Sequence, residues 1–241
     1  MARKPERKST RKTAGANTSG STARSAVPTT PRERIVSAFL ALLPERGFES
    51  IGLADIAEQA GISLAELRDE FSSTLSIAAA FTKATDRAVL AQDFSDMAEE
   101  SERERLFDVL MRRLDILSPH RDAIRSLLKS ARRNPPLALA LNGLGVRSQQ
   151  WMLSAAGIGA SGPGGLIRAQ GLAVIFASVL RTWIDDDDSG QARTMAALDR
   201  ALGRGQHLAG MLSDLCAIPS RLGRLRRRRR HTDDDEETVT A

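Results

Sequence analysis

The sequence predicts an all-helical protein, and three observations predict it. With no tyrosine and only 4% aromatic residues, a core has to be built from Leu, Ala, Ile, Val and Met, which suits helices better than β-sandwiches. Apolar side chains recur at three- and four-residue intervals through much of residues 31–217, the spacing of one helix face. The breaks between these runs carry glycine, proline or a Ser-x-x-Glu signature, which are helix stops and starts.

Residues 1–30 hold almost no large apolar side chain, too few to offset the entropy of ordering them, so a disordered tail is expected. The composition is that of a transit peptide, but the apolar face of an amphipathic presequence is missing. A first helix is expected over residues 32–46, with Ile35, Phe39, Leu42 and Leu43 on one face and Gly47 as its stop. A short second helix, 53–60, presents Leu53, Ile56 and Ala57. Gly61, Ile62 and Ser63 make a tight turn, with Ser63 as N-cap and Glu66 closing a capping box. A third helix, 64–71, then turns Leu67 and Phe71 inward.

A longer helix over 74–92 carries Leu75, Ala79, Ala80, Phe81 and Val89. Ser101 and Glu104 open the next, to residue 117, with Leu106, Leu110, Met111, Leu114 and Leu117 as its stripe. Pro119 breaks the chain before a helix at 121–133, and Pro135 and Pro136 start another that reaches 156. The glycine-rich stretch 157–165 reads as a loop. Residues 166–184 are apolar on nearly all sides, which suits either the core or an interface. A polar break at 185–190 precedes a last helix, 191–215, and Pro219 ends the order. Nine helices result, three short and six longer, without an internal repeat.

Several function classes are excluded on composition. The single cysteine, Cys216, cannot form an internal disulfide and fits a reducing compartment. His120, His207 and His231 lie far apart with no ligand-spaced partner, so no metal site is expected. No nucleophile elbow, phosphate loop or cofactor motif is present, so neither an enzyme nor a bound cofactor is expected. The uncharged run between Arg168 and Arg181 is too short to span a bilayer. A soluble, cytoplasmic protein is the expectation. The four carboxylates at 185–188 are a candidate for cation binding, weighed against a solvated helix break.

Charge is unevenly spread. Residues 1–32 contain eight Lys or Arg against one acid, Glu6. At the other end, Arg221, Arg224 and the arginines at 226–230 precede an acidic block at 233–237. Each basic tail is a candidate nucleic-acid contact or a solvated polyelectrolyte end. Leu222 and Leu225, set among the arginines, also suit a short membrane-surface segment.

Two short helices joined by a glycine-containing turn are the helix-turn-helix signature. The run RERIVSAFLALLPERGFESIGLADIAEQAGIS, residues 32–63, resembles the N-terminal domain of TetR-family transcriptional regulators. The resemblance rests on Glu45, Arg46, Gly47 and Phe48, on Asp55, Ile56 and Ala57, on Ala60, Gly61, Ile62 and Ser63, and on the spacing to Phe71. It implies a three-helix head, residues 31–75, on a six-helix body, residues 76–217, with tails at 1–30 and 218–241. It further implies a homodimer joined through 166–184 and 191–215, DNA as partner, and a small ligand enclosed by the body. Candidate DNA contacts are Arg32, Gly52, Ser63, Leu64, Ala65, Glu66, Arg68, Asp69 and Ser73. Candidate pocket residues are Phe107, Leu110, Met111, Leu114, Leu127, Leu128, Trp151, Phe176 and Trp183, whose character points to an apolar ligand.

The third helix departs from the family pattern. Where family members carry small, basic and aromatic polar residues, this chain has Leu64, Ala65, Glu66, Leu67, Arg68, Asp69 and Glu70, with a net charge of −2. Gly52 stands where a hydroxyl usually caps the second helix. Acids facing a polyanion cost affinity, although a single carboxylate can accept from a cytosine amino group. A second resemblance covers residues 151–202, with Trp183, Asp185 and the run Met195, Ala196, Ala197, Leu198, Asp199. It is similar to ubiquinone-biosynthesis accessory proteins, which share the fold and hold an isoprenoid lipid without binding DNA.

Overall fold

The computed structural model describes residues 30–97 and 99–205. Expectations for both tails, for Cys216, His207 and His231, and for the end of the last helix at 215 lie outside these residues. Helices dominate, and no strand occurs among the described residues. The order is α1 (Pro31–Arg46), α2 (Leu53–Ala60), α3 (Leu64–Glu70), α4 (Thr74–Leu90), α5 (Glu102–Leu117), α6 (Arg121–Arg133), α7 (Pro135–Ala155) and α8 (Gly162–Trp183). A further helix, α9, occupies residues 192–205.

Local chemistry sets most of the boundaries. Thr30 caps α1 reciprocally with Glu33, its hydroxyl accepting from the Glu33 amide at 3.2 Å. Ser101 and Glu104 do the same for α5. Asn134 accepts from the Leu137 amide at 3.0 Å ahead of Pro135 and Pro136, which suit a first turn because their missing N–H would be unpaired there.

The glycine-rich stretch is a correction. Residues 162–165 belong to α8, which starts four residues earlier than 166. Pro163 supplies a helix-ready φ in the first turn. Gly165 is there for close approach, since a Cβ would fall 2.2 Å from the Ala160 carbonyl. One helix bears on the bilayer expectation without overturning it. At 22 residues, with an 18-residue window of mean hydropathy 1.4, α8 is by length and composition long enough to cross a membrane. Within this fold it turns Ala169, Leu172, Phe176, Val179 and Trp183 inward, as a core helix does.

Two apolar cores form. The first gathers Ile35, Phe39, Leu42 and Leu43 of α1, Ile56 and Ala57 of α2, Leu67 of α3 and Phe71, closed by Ile77 and Ala78 of α4 and Ala123 of α6. Fully burying side chains such as Phe39, Leu43, Ile56 and Leu67 stabilises by roughly 1.5–3 kcal/mol each, which fixes α3 on α1 and α2. The second core collects α5, α7, α8 and α9 around Leu110, Leu114, Met152, Phe176, Trp183 and Leu198, with Val89 of α4. α4 therefore serves both cores, and the expected boundary between residues 75 and 76 falls inside this one helix. The carboxylate run at 185–188 acts locally. Asp186 is buried and accepts from the Thr194 amide (2.8 Å) and hydroxyl (2.6 Å), and Asp188 accepts from the Ala192 amide (3.2 Å), so the two cap α9. No group of three or more His, Cys, Asp or Glu suited to a metal ion occurs among the described residues.

Candidate nucleic-acid interface

The turn between α2 and α3 is built on one glycine. Gly61 sits in the left-handed region (φ 63°, ψ 43°), where a side chain is strained. Its amide donates to Glu58 O and that of Ile62 to Ala57 O, closing the end of α2. Ser63 then starts α3. Its hydroxyl accepts from the Glu66 amide at 3.2 Å, and Glu66 accepts from the Ser63 amide and hydroxyl at 2.8 Å each. Those bonds, the amide first, hold the Glu66 carboxyl below its ordinary value. Gly52 has no hydroxyl to cap α2, and the Asp55 carboxylate accepts the Gly52 amide at 2.8 Å, bonding to Arg46 as well.

Leu67 is the anchor of α3, 1% exposed. Around it, Leu64, Ala65, Glu66, Arg68 and Asp69 are exposed, and of these Glu66 is bonded back to Ser63. Glu70 does not join them as a free charge. Arg32 donates to its carboxylate and to its backbone carbonyl, both at 3.2 Å, while the guanidinium lies 4.3 Å from the Phe71 ring centre. Arg32 thus pins the start of α1 to the end of α3. Arg34 reaches the carbonyls of Ala60 and Gly61 at the turn. Of the candidate contacts, Leu64, Ala65, Arg68 and Asp69 are brought to one face. Arg32, Gly52, Ser63 and Glu66 are engaged within the head, and Ser73 caps α4 with Ser76.

The charge of the head is larger than the third helix alone suggests. Residues 30–75 contain four arginines and no lysine against eight carboxylates, a net −4. Three of the arginines have intramolecular partners, and Arg68 is the one without a partner among the described residues.

The candidate pocket residues are scattered. Leu110, Leu114 and Trp183 are fully buried and Phe176 nearly so. Phe107, Met111 and Leu128 are half-buried against the body core, while Leu127 packs on the head core. Trp151 is on the surface, 58% exposed. An open groove of about 840 Å³ lies elsewhere, along Ser178 and Thr182 of α8 and Asp199 and Arg200 of α9. Sequence reasoning missed a buried polar group in the body. Arg113 of α5 bonds to Asp86 of α4, and the Ser148 hydroxyl of α7 donates to the same oxygen at 2.7 Å. Arg113 also lies 5.4 Å from the Phe176 ring centre. No spacing in the sequence links residues 86, 113 and 148.

No protein-family model matches the chain, and no curated protein does. Solved structures do. A TetR transcriptional regulator from Nitrosomonas europaea is 21% identical, over 73% of this chain and 98% of its own, with a TM-score of 0.55. A TetR transcriptional regulator from Rhodococcus sp. RHA1 gives 21% and 0.52, over 72% of this chain and 94% of its own. Another structure from Rhodococcus sp., described as a TetR-family regulator, gives 18% and 0.51, over 72% and 100%. The chain therefore has the fold of TetR-family transcriptional regulators, helix-turn-helix head included.

Proposed function

We propose that this protein is a TetR-type transcriptional regulator that binds DNA as a homodimer and responds to a small, largely apolar ligand in its body. One observation carries the reading: a capped helix-turn-helix holds α3 by Leu67 and leaves Leu64, Ala65, Arg68 and Asp69 facing solvent. With the head at −4, phosphate neutralisation has to come from elsewhere. The seven Lys and Arg of residues 1–29, which precede α1 in sequence, are assigned that role. The dimer seam is assigned to α8 and α9, where Ile167 and Val174 are 67% and 59% exposed on one side of α8. The test is a gel shift on the protein's own promoter region at low salt, with the full chain and with a chain lacking residues 1–29. Retention by the full chain, with a salt slope reduced by the deletion, supports the reading. No shift with the full chain overturns it.

A second reading is favoured by the head's net charge: an accessory protein on the same fold that holds a lipid and has no DNA contact. Co-purified isoprenoid lipid in native mass spectrometry, with no shift of any duplex, selects it.

A further inference from the structure

We propose that α3 reads a G·C base pair in each half-site, with Arg68 donating to guanine and Asp69 accepting from the cytosine amino group. This inference rests on the reading of the chain as a DNA-binding regulator and assigns its base preference. The acidic character of α3 looks prohibitive when charges are counted along the sequence. Two of its three carboxylates are occupied, however: Glu66 by the Ser63 amide and hydroxyl, and Glu70 by Arg32. What remains facing outward and unbonded is one guanidinium and one carboxylate on adjacent residues. Glu66 is exposed too and the Ser63 bonds keep it anionic, so the exposed face carries one cation against two acids, with Arg68 and Asp69 as its charges free of intramolecular bonds among the described residues. That face offers one strong donor fork, one strong free acceptor and the apolar Leu64 and Ala65 beside them.

In the major groove, guanine presents two acceptors that match an arginine fork, cytosine presents an amino donor that matches a carboxylate, and thymine presents a methyl group. Arg68 and Asp69 are therefore complementary to a G·C pair, and Ala65 and Leu64 to a neighbouring thymine methyl. A lone Asp also discriminates negatively, since it repels the acceptor atoms of guanine and thymine.

The experiment is selection of bound duplexes from a random library by the full chain at low salt. Anisotropy titrations of the selected duplex and its single-pair variants follow, with wild type, Asp69→Ala and Arg68→Ala. All of these positions are exposed, and circular dichroism checks folding. The expected wild-type result is an enriched two-fold motif with a G·C pair in each half. Asp69→Ala should tighten binding to random duplex while losing roughly 5- to 100-fold of discrimination at the cytosine. Arg68→Ala should lose discrimination at the guanine by a similar factor. If Asp69→Ala tightens all duplexes equally and leaves the motif intact, Asp69 is only a repulsive charge and the inference falls, while the regulator reading stands. If the full chain enriches nothing and shifts no duplex, both fall.

Discussion

Replacing Arg113 by methionine removes the one buried cation among the described residues and leaves Asp86 buried. In the folded chain the two side chains are 6% and 10% exposed, and they join α5 to α4. After the substitution Asp86 keeps a single donor, the Ser148 hydroxyl at 2.7 Å. Breaking one side of a buried ion pair costs about 3–5 kcal/mol, because the remaining charge is desolvated without compensation. Against a total stability of about 5–15 kcal/mol, that is a large fraction. A domain of this size shifts by about 2–4 °C per kcal/mol, so the melting point should fall by roughly 6–20 °C. Asp86→Leu should behave similarly, since it strands Arg113, whose Nε is already buried without a partner. The double variant, Asp86→Leu with Arg113→Met, should recover most of the loss and can exceed wild type, because the desolvation of both ions is removed. The assay is thermal unfolding of all four proteins by calorimetry. A loss below about 1 kcal/mol for Arg113→Met alone, or a double variant as unstable as the sum of the singles, would refute the claim that these groups form one buried, coupled unit.

Three further outcomes are expected. Gly61→Ala has nothing within 4 Å of the new Cβ, so its cost is backbone strain alone, about 1–2 kcal/mol. Gly165→Ala drives a Cβ into the Ala160 carbonyl and should cost more, by denaturant midpoint; the reverse order would be inconsistent with α8 starting at Gly162. Glu66→Gln should flatten the acid limb of the stability profile: the Glu66 carboxyl is held below its ordinary value by the Ser63 amide, so its contribution is present above the unfolded value and lost as pH falls through the folded one. Burial holds the His120 imidazole below its ordinary value near 6.5, where it meets Phe81 edge-on at 5.2 Å. The fold disfavours the charged form, so stability is complete above about pH 6.5 and declines as pH drops towards the folded value. His120→Phe should remove that decline, measured by melting point between pH 7.5 and 5.

Element limits were legible where caps are written in adjacent residues. The expected 53–60 and 121–133 coincide with α2 and α6, and the capping boxes at Ser63 and Ser101 sit where their sequence signature puts them. Phase was lost where a helix is apolar on more than one side. α7 carries Leu137, Leu139, Leu141, Leu144, Trp151 and Met152, so no single stripe fixes its rotation, and Trp151 lies outside while Met152 is fully buried. Buried charge was not read from the sequence: Arg113 falls at helical spacing with Leu106, Leu110 and Leu117, but the residue type gives no sign of its partner, and only the approach of α4 to α5 and α7 makes it an interior pair with Asp86. The candidate interface was half legible. Identity and order of the α3 residues are in the sequence, but which carboxylates are spoken for depends on Arg32 reaching Glu70, a contact between residues 38 apart.

The same geometry sets how a change in the body can reach α3. Two junctions hold the head. One is α4, whose Ile77 and Ala78 belong to the head core while Val89 belongs to the body core and Asp86 is clamped by α5 and α7. The other is α6, where the Ser126 hydroxyl donates to Leu43 O at 2.5 Å, Ser130 accepts from the Phe48 amide at 3.2 Å, and Ala123 closes the head core. The α6 bonds are only partly buried, and neutral hydrogen bonds of this kind contribute about 0.5–1.5 kcal/mol each. The clamp on α4 is worth several times that when one partner is lost. If the proposed ligand response exists, a rearrangement of the body that leaves the Asp86 clamp whole is expected to move α4 with it and to be taken up at the weaker α6 junction. Because Ile77 packs in the same core as Leu67, any tilt of α4 is delivered directly to the helix that carries Arg68 and Asp69.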